Sequence, residues 1–173
     1  MGHGIGMALG LMTGIAVGIV VVVLLFKKKV FDCTFDERQE RARGVAFKYG
    51  FFTLMAALLA YGTSELTLGR WCDAMAGGCL CLALGISVFA VTCILKDAYL
   101  SLREKPRQVM TLSVLIAAGN LCIGLVQLRS GHMMEDGVLT FRSTNLIVGA
   151  MMLAILAVYL VNYLLRDRDG EAG

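Results

Sequence analysis

Residues 74–95 read AMAGGCLCLALGISVFAVTCIL, a run without one charged side chain, and this stretch decides the fold. At about 1.5 Å of rise per residue, some 20 helical residues match a hydrocarbon core of about 30 Å. In that solvent every backbone N–H and C=O must find a partner inside the chain, so an apolar run of this length is expected to form a transmembrane α-helix. Working outward, four more stretches have the same character: residues 5–26, 47–66, 109–128 and 145–165. The expectation is an all-α polytopic membrane protein, a bundle of five transmembrane helices. With 173 residues, 58% of them apolar, the chain forms one membrane domain and leaves no length for a separate soluble one.

The short loops set the orientation. Twelve of the sixteen Lys and Arg residues fall between the first and second stretches, between the third and fourth, or after the fifth, and Lys48 at the near edge of the second makes thirteen on one face. Only Arg70, Arg129 and Arg142 fall on the other side. By the positive-inside rule the N-terminus is expected outside and the C-terminus in the cytoplasm of a bacterial plasma membrane. The second stretch carries Lys48 and Glu65 at its edges, which must reach the two interfaces. A cleaved leader is the alternative for the first stretch. Its length, and the cluster Lys27, Lys28 and Lys29 after it, favour a retained anchor. Gly6 stands where a myristoylation motif needs Ser or Thr. Because the cations follow the topology, they point to lipid and not to nucleic acid.

Gly2, Gly6, Gly10, Gly14 and Gly18 recur every fourth residue. Such a stripe lets another backbone approach closely, where van der Waals contact and weak Cα–H···O bonds hold helices together in lipid. Its partner is either a helix of the same chain, a second copy, or another membrane subunit. Asn120 is the strongest hydrogen-bonding group deep in a stretch and is expected to tie two helices together.

Residues 27–46 form a cytoplasmic elbow. Thr34 and Glu37 have the spacing of a capping box, which predicts a helix starting near Phe35 and running into the second span. Lys27, Lys28 and Lys29 are expected to meet anionic headgroups at about 1 kcal/mol per cation, or to dock a partner. The run FDERQERARGVAFKYGFFTL (35–54), with LKDAYLSLREK (95–105), resembles a family of small multi-pass membrane proteins of Firmicutes-type bacteria. Members carry D-E-R-Q, then R-G-x-A-x-K-Y-x-F, then K-D-A-Y. The resemblance covers two charged segments and their flanking spans, implies a bacterial inner-membrane protein, and brings no activity with it. Since both segments lie on one face, residues 36–39 are expected to contact residues 96–99, for instance through Asp36 or Glu37 to Lys96 and Arg38 to Asp97.

Chemistry is sparse. The six cysteines form no C-x-x-C, and those within the spans are expected to pack as apolar groups. His3, His132 and Met133 share the outer face and offer soft-metal ligands, although a short loop containing His and Met is the plainer reading. Asp136-Gly137 is a turn signal for a short hairpin. No H-E-x-x-H or G-x-S-x-G occurs, and no acid, His or Arg sits at a span centre as coupled transporters require. No cofactor is implied. The expectation is a non-catalytic helper, signalling or interaction subunit, with a small-solute or metal-ion permeation protein as the alternative.

Overall fold

The computed structural model describes residues 34–171, with side chains as far as Arg166, and six helical positions of the first apolar stretch: Thr13, Ala16, Ile19, Val20, Val23 and Leu24. The glycine ladder (Gly2, Gly6, Gly10, Gly14, Gly18), Lys27, Lys28, Lys29 and His3 lie outside the described residues. Among those described, four helices are long and apolar enough to cross a membrane. They are α1 (Glu37–Leu68), α2 (Ala74–Leu95), α3 (Pro106–Arg129) and α4 (Thr144–Glu171). The expected bundle of five is thus observed as four, because the first span falls almost wholly on residues that are not described.

Helix α1 starts where its backbone donors are met. Asp36 is the N-cap: its carboxylate accepts from the Gln39 N–H at 2.6 Å, and the Gln39 side chain accepts in return from the Asp36 N–H at 3.3 Å. The capping box is therefore Asp36/Gln39, two residues beyond the expected Thr34/Glu37. An aspartate caps as well as a threonine, and this frame leaves Glu37 and Glu40 in the first turn, beside the positive end of the helix dipole. At about 1.5 Å per residue the helix is roughly 48 Å long, more than a hydrocarbon core requires.

Helix α2 is the middle of the bundle. It packs against α1 on one side and α4 on the other, and α3 packs against α4. A third of its apolar window is buried inside the protein (33%), against 11% for each of the other three. Most buried helical positions are small, among them Ala46, Ala76, Ala83, Ala90 and Ala117 with Cys81 and Cys93, and Ile94 and Ile155 are the large apolar exceptions. Large apolar side chains such as Phe52, Leu59, Leu115 and Val126 face outward. That inversion suits lipid, where close backbone approach holds helices together and the exterior needs to be greasy. Cys122 is exposed, so it does not pack internally as expected.

Two glycine crossings carry this close approach. A Cβ on Gly50 of α1 would stand 2.9 Å from the Gly85 carbonyl oxygen of α2, and one on Gly85 would stand 3.0 Å from Leu54 Cβ. Between α3 and α4 the pattern repeats. A Cβ on Gly124 would lie 2.9 Å from the Leu146 backbone, and one on Gly149 would lie 2.8 Å from Leu121 Cγ.

At one end of the bundle, strands β1 (Met134–Glu135) and β2 (Val138–Leu139) form the expected hairpin, closed by Asp136 and Gly137 at φ 52° and 80°. Positive φ at both central residues is the type I′ geometry that matches strand twist. Leu139 also pairs with the α1–α2 loop: its N–H reaches the Trp71 carbonyl at 2.9 Å, and its C=O accepts from Asp73 N–H at 2.8 Å. This hairpin end is opposite the end that carries Asp36 and Asp97. A smaller unit, Met1–Thr34 with Ser101–Glu104, contains a bond from Leu102 N–H to the Thr34 carbonyl at 3.1 Å.

Candidate functional site

Helix α2 ends in a tight reversal with an aspartate in the unusual place. Asp97 has φ 58°, a left-handed conformation normally left to glycine. The Ala98 N–H returns to the Cys93 carbonyl at 2.8 Å and the Asp97 N–H to the Ile94 carbonyl at 3.2 Å, the two bonds of a Schellman ending. An aspartate here costs about 1–2 kcal/mol of backbone strain relative to a right-handed residue. Its side chain meets two largely exposed cations. The carboxylate accepts from the Arg166 guanidinium at the C-terminal end of α4, and Arg38 Nη2 lies 3.6 Å away. The Arg38–Asp97 pair is the one expected from the two charged segments.

The carbonyls that follow the reversal are gathered by α1. Gln39 is buried, and its Nε2 donates to the Asp97 carbonyl at 2.9 Å and the Leu100 carbonyl at 3.3 Å. Arg43, one turn on, donates from Nη1 to the Ala98 carbonyl at 3.0 Å. Its guanidinium lies 4.1 Å from the Phe35 ring centroid and 5.5 Å from that of Phe89, so the charge is held by ring faces and a backbone dipole. From α4, Asn162 Nδ2 donates to the Ile94 carbonyl at 3.4 Å. The D-E-R-Q and K-D-A-Y segments are thus one polar lock. The Gln39 and Arg43 bonds run to the Asp97, Ala98 and Leu100 carbonyls just past the helix end, while the Asn162 bond adds to an Ile94 carbonyl already paired with the Asp97 N–H.

Beside the lock is a cavity of about 230 Å³, lined by Gln39, Asp97, Asn162, Arg166, Tyr159 and Ile94. It has both donors and acceptors and is large enough for several waters or a small polar solute. Tyr159 and Tyr99 close its apolar side, with ring centroids 6.2 Å apart, against Ala90, Ile94 and Ile155.

The other expected residues are placed differently. The Asp36 carboxylate caps α1, and Glu37 bonds Arg41 at 3.2 Å, so neither is given to Lys96, which is exposed. Asn120 Nδ2 donates to the Ile116 carbonyl of its own helix at 2.9 Å instead of reaching across to another. A carbonyl one turn back is always in range, and it satisfies the amide without a neighbour. Met133 is buried in the hairpin cap while His132 is exposed, so the two are not presented together. Among the described residues no group of three or more His, Cys, Asp or Glu gathers as a metal site would require.

Sequence reasoning placed Gln39 in the contacting segment 36–39 without giving it the donor role, and missed Arg43, Asn162 and Arg166. Gln39 had a signal of its own, since Asp36 and Gln39 share capping-box spacing. The role of the α4 residues had none, because it depends on which helix ends meet.

At the hairpin end, Cys72 is fully buried. Burial raises its thiol above the ordinary value of 9.0, and the Asp73 and Glu65 carboxylates push the same way. The folded state therefore favours the neutral thiol. Its stabilising effect is complete below pH 9.0 and declines as pH rises through and beyond that value, where the unfolded thiol ionises first. A membrane-impermeant maleimide, mapped at Cys72, is expected to leave the folded protein unmodified at neutral pH and to react fully in denaturant. Rapid native labelling would show that the cap opens.

No protein-family model matches the chain, and no curated protein and no solved structure matches it.

Proposed function

We propose that this chain is a non-catalytic subunit of a bacterial plasma membrane. It has five spans, the N-terminus outside and the C-terminus in the cytoplasm, and acts as a helper or as a signalling and interaction component. The observation that carries the reading is how the polar groups of the basic end divide. Gln39 and Arg43 hold backbone carbonyls and stiffen an end plate, while Glu37, Arg38 and Arg41 on the same helix remain exposed. A rigid plate displaying exposed charge is suited to docking a cytoplasmic partner or anionic lipid. The resemblance of the D-E-R-Q and K-D-A-Y segments to small bacterial membrane proteins supports the same compartment. In this reading the glycine ladder of the first stretch is the association surface within the membrane.

The test is the mass and composition of the complex extracted from native membranes in a mild detergent, beside a Gly10→Leu, Gly14→Leu variant. A homo-oligomer or a stoichiometric partner that the variant loses is the expected result. A monomer without a partner in both samples would overturn the subunit reading. The second reading, permeation of a small solute or metal ion, draws on the cavity beside Asp97 and Asn162. It predicts solute flux into vesicles holding the protein alone, reduced by Asn162→Leu.

A further inference from the structure

A second groove lies on the other side of Tyr159 and Tyr163, between the N-terminal part of α3 and the C-terminal part of α4. It encloses about 890 Å³ and runs along α3 from Lys105 to Val114, with Leu156 and Leu160 forming the opposite wall. Nine residues of α3 at about 1.5 Å each make it roughly 14 Å deep, close to the depth of one leaflet, about half of a 30 Å core. The groove is amphipathic along its length. Lys105 and Arg107 stand exposed at its mouth, and among the described residues no acidic side chain lines it. The mouth is also the start of α3, where Pro106 occupies the first turn, no side chain caps the helix and the first turn holds no acidic residue. Deeper in, Met110, Val114, Leu156 and Leu160 present apolar side chains. The two tyrosines stand between them, where amphipathic rings favour the headgroup level.

We propose that this groove seats one anionic phospholipid, its phosphate at Lys105 and Arg107 and one acyl chain along Val114 and Leu160. The charge of the mouth argues for an anion, and the apolar depth argues that the anion carries a chain. A free phosphate would leave the deeper walls uncovered, and a zwitterionic lipid would set its own cation against Lys105 and Arg107. The proposal rests on the membrane reading above and adds a site and a headgroup class to it. Either cation contributes about 1 kcal/mol near a charged surface, which is about fivefold in binding, and about thirtyfold for the two together.

The experiment is native mass spectrometry of the full chain, delipidated in detergent and offered phosphatidylglycerol or phosphatidylcholine with matched chains, and inorganic phosphate separately. One retained phosphatidylglycerol is expected, favoured over phosphatidylcholine by about thirtyfold. Lys105→Gln and Arg107→Gln together should abolish that preference, and either alone should lower it about fivefold. Val114→Trp should exclude both lipids, and Arg129→Gln, at the far end of α3, should change nothing. Helical circular dichroism of each variant separates loss of the site from loss of the fold. Equal retention of the two lipids, or a preference that survives the double variant, would overturn the proposal. Phosphate bound with the same cation dependence but indifferent to Val114→Trp would replace the lipid with a free anion. Recovery of the protein from the aqueous fraction without detergent would instead overturn the membrane reading itself.

Discussion

Gly50→Leu is expected to abolish most of the folded bundle recovered in mild detergent. At this crossing a Cβ would lie 2.9 Å from the Gly85 carbonyl oxygen, an atom of the α2 backbone that moves only if the whole helix moves. A leucine adds three further carbons to that clash. Overpacking of a well-packed site costs about 1–3 kcal/mol and occasionally more. The upper end is expected here, because in lipid the close contact is itself what holds α1 to α2. Gly85→Leu should behave similarly, with Leu54 Cβ at 3.0 Å as its first obstacle. The controls are glycines in the same two helices: a Cβ on Gly62 or Gly78 meets nothing within 4 Å. Gly62→Leu and Gly78→Leu should leave the thermal midpoint of the detergent-solubilised protein nearly unchanged. If all four variants lost stability alike, side-chain volume at the crossing would not be the cause.

Gln39→Glu is the second large effect, produced by exchanging an NH2 for an oxygen. The variant keeps an acceptor for the Asp36 N–H but loses both donors to the Asp97 and Leu100 carbonyls, which then face a carboxylate. Stranding a buried polar group costs about 1–3 kcal/mol, so a loss near 3 kcal/mol is expected for the pair. The loss carries a pH signature. A carboxyl surrounded by carbonyl oxygens favours its protonated form, which raises its folded pKa above the unfolded value. The variant should therefore be most stable below about pH 4, the ordinary carboxylate range, and lose that stability as pH rises through the folded pKa. Gln39→Leu removes the donors without adding charge, so it should be destabilised without that dependence. Thermal unfolding of both variants from pH 4 to pH 8 decides the matter. A Gln39→Glu protein indifferent to pH would mean that water reaches those carbonyls and that the lock is open.

Both effects act on features of different legibility. The apolar runs over residues 74–95 and 109–128 declare their helices because nothing else satisfies a backbone in hydrocarbon, so their existence depends on no neighbour. Pro106 at the start of α3 and the Asp136-Gly137 turn are equally local, since each acts through its own backbone geometry. The capping box was misplaced by two residues because Thr34, Asp36, Glu37 and Gln39 offer two overlapping frames of equal local merit. The choice agrees with a distant contact, as only the Asp36/Gln39 frame is seen here with Gln39 against the 97–100 carbonyls.

The glycines make the same point. The four-residue spacing in the first stretch is visible as a pattern, whereas Gly50, Gly85, Gly124 and Gly149 stand singly and carry no periodic signal. What marks them is the helix that crosses each one. Asn120 is the converse case, conspicuous in its span yet satisfied by its own helix at Ile116. The membrane-compatible apolar runs, the helical class and the local turns were legible in the sequence, because those follow from hydrophobicity and backbone hydrogen bonding within a few residues. Which helices touch, that Arg166 joins Arg38 at Asp97, and which polar groups close the end of α2 were decided only by tertiary structure. In lipid, apolar faces are nearly interchangeable, and close approach and the pairing of stranded carbonyls select one arrangement among them.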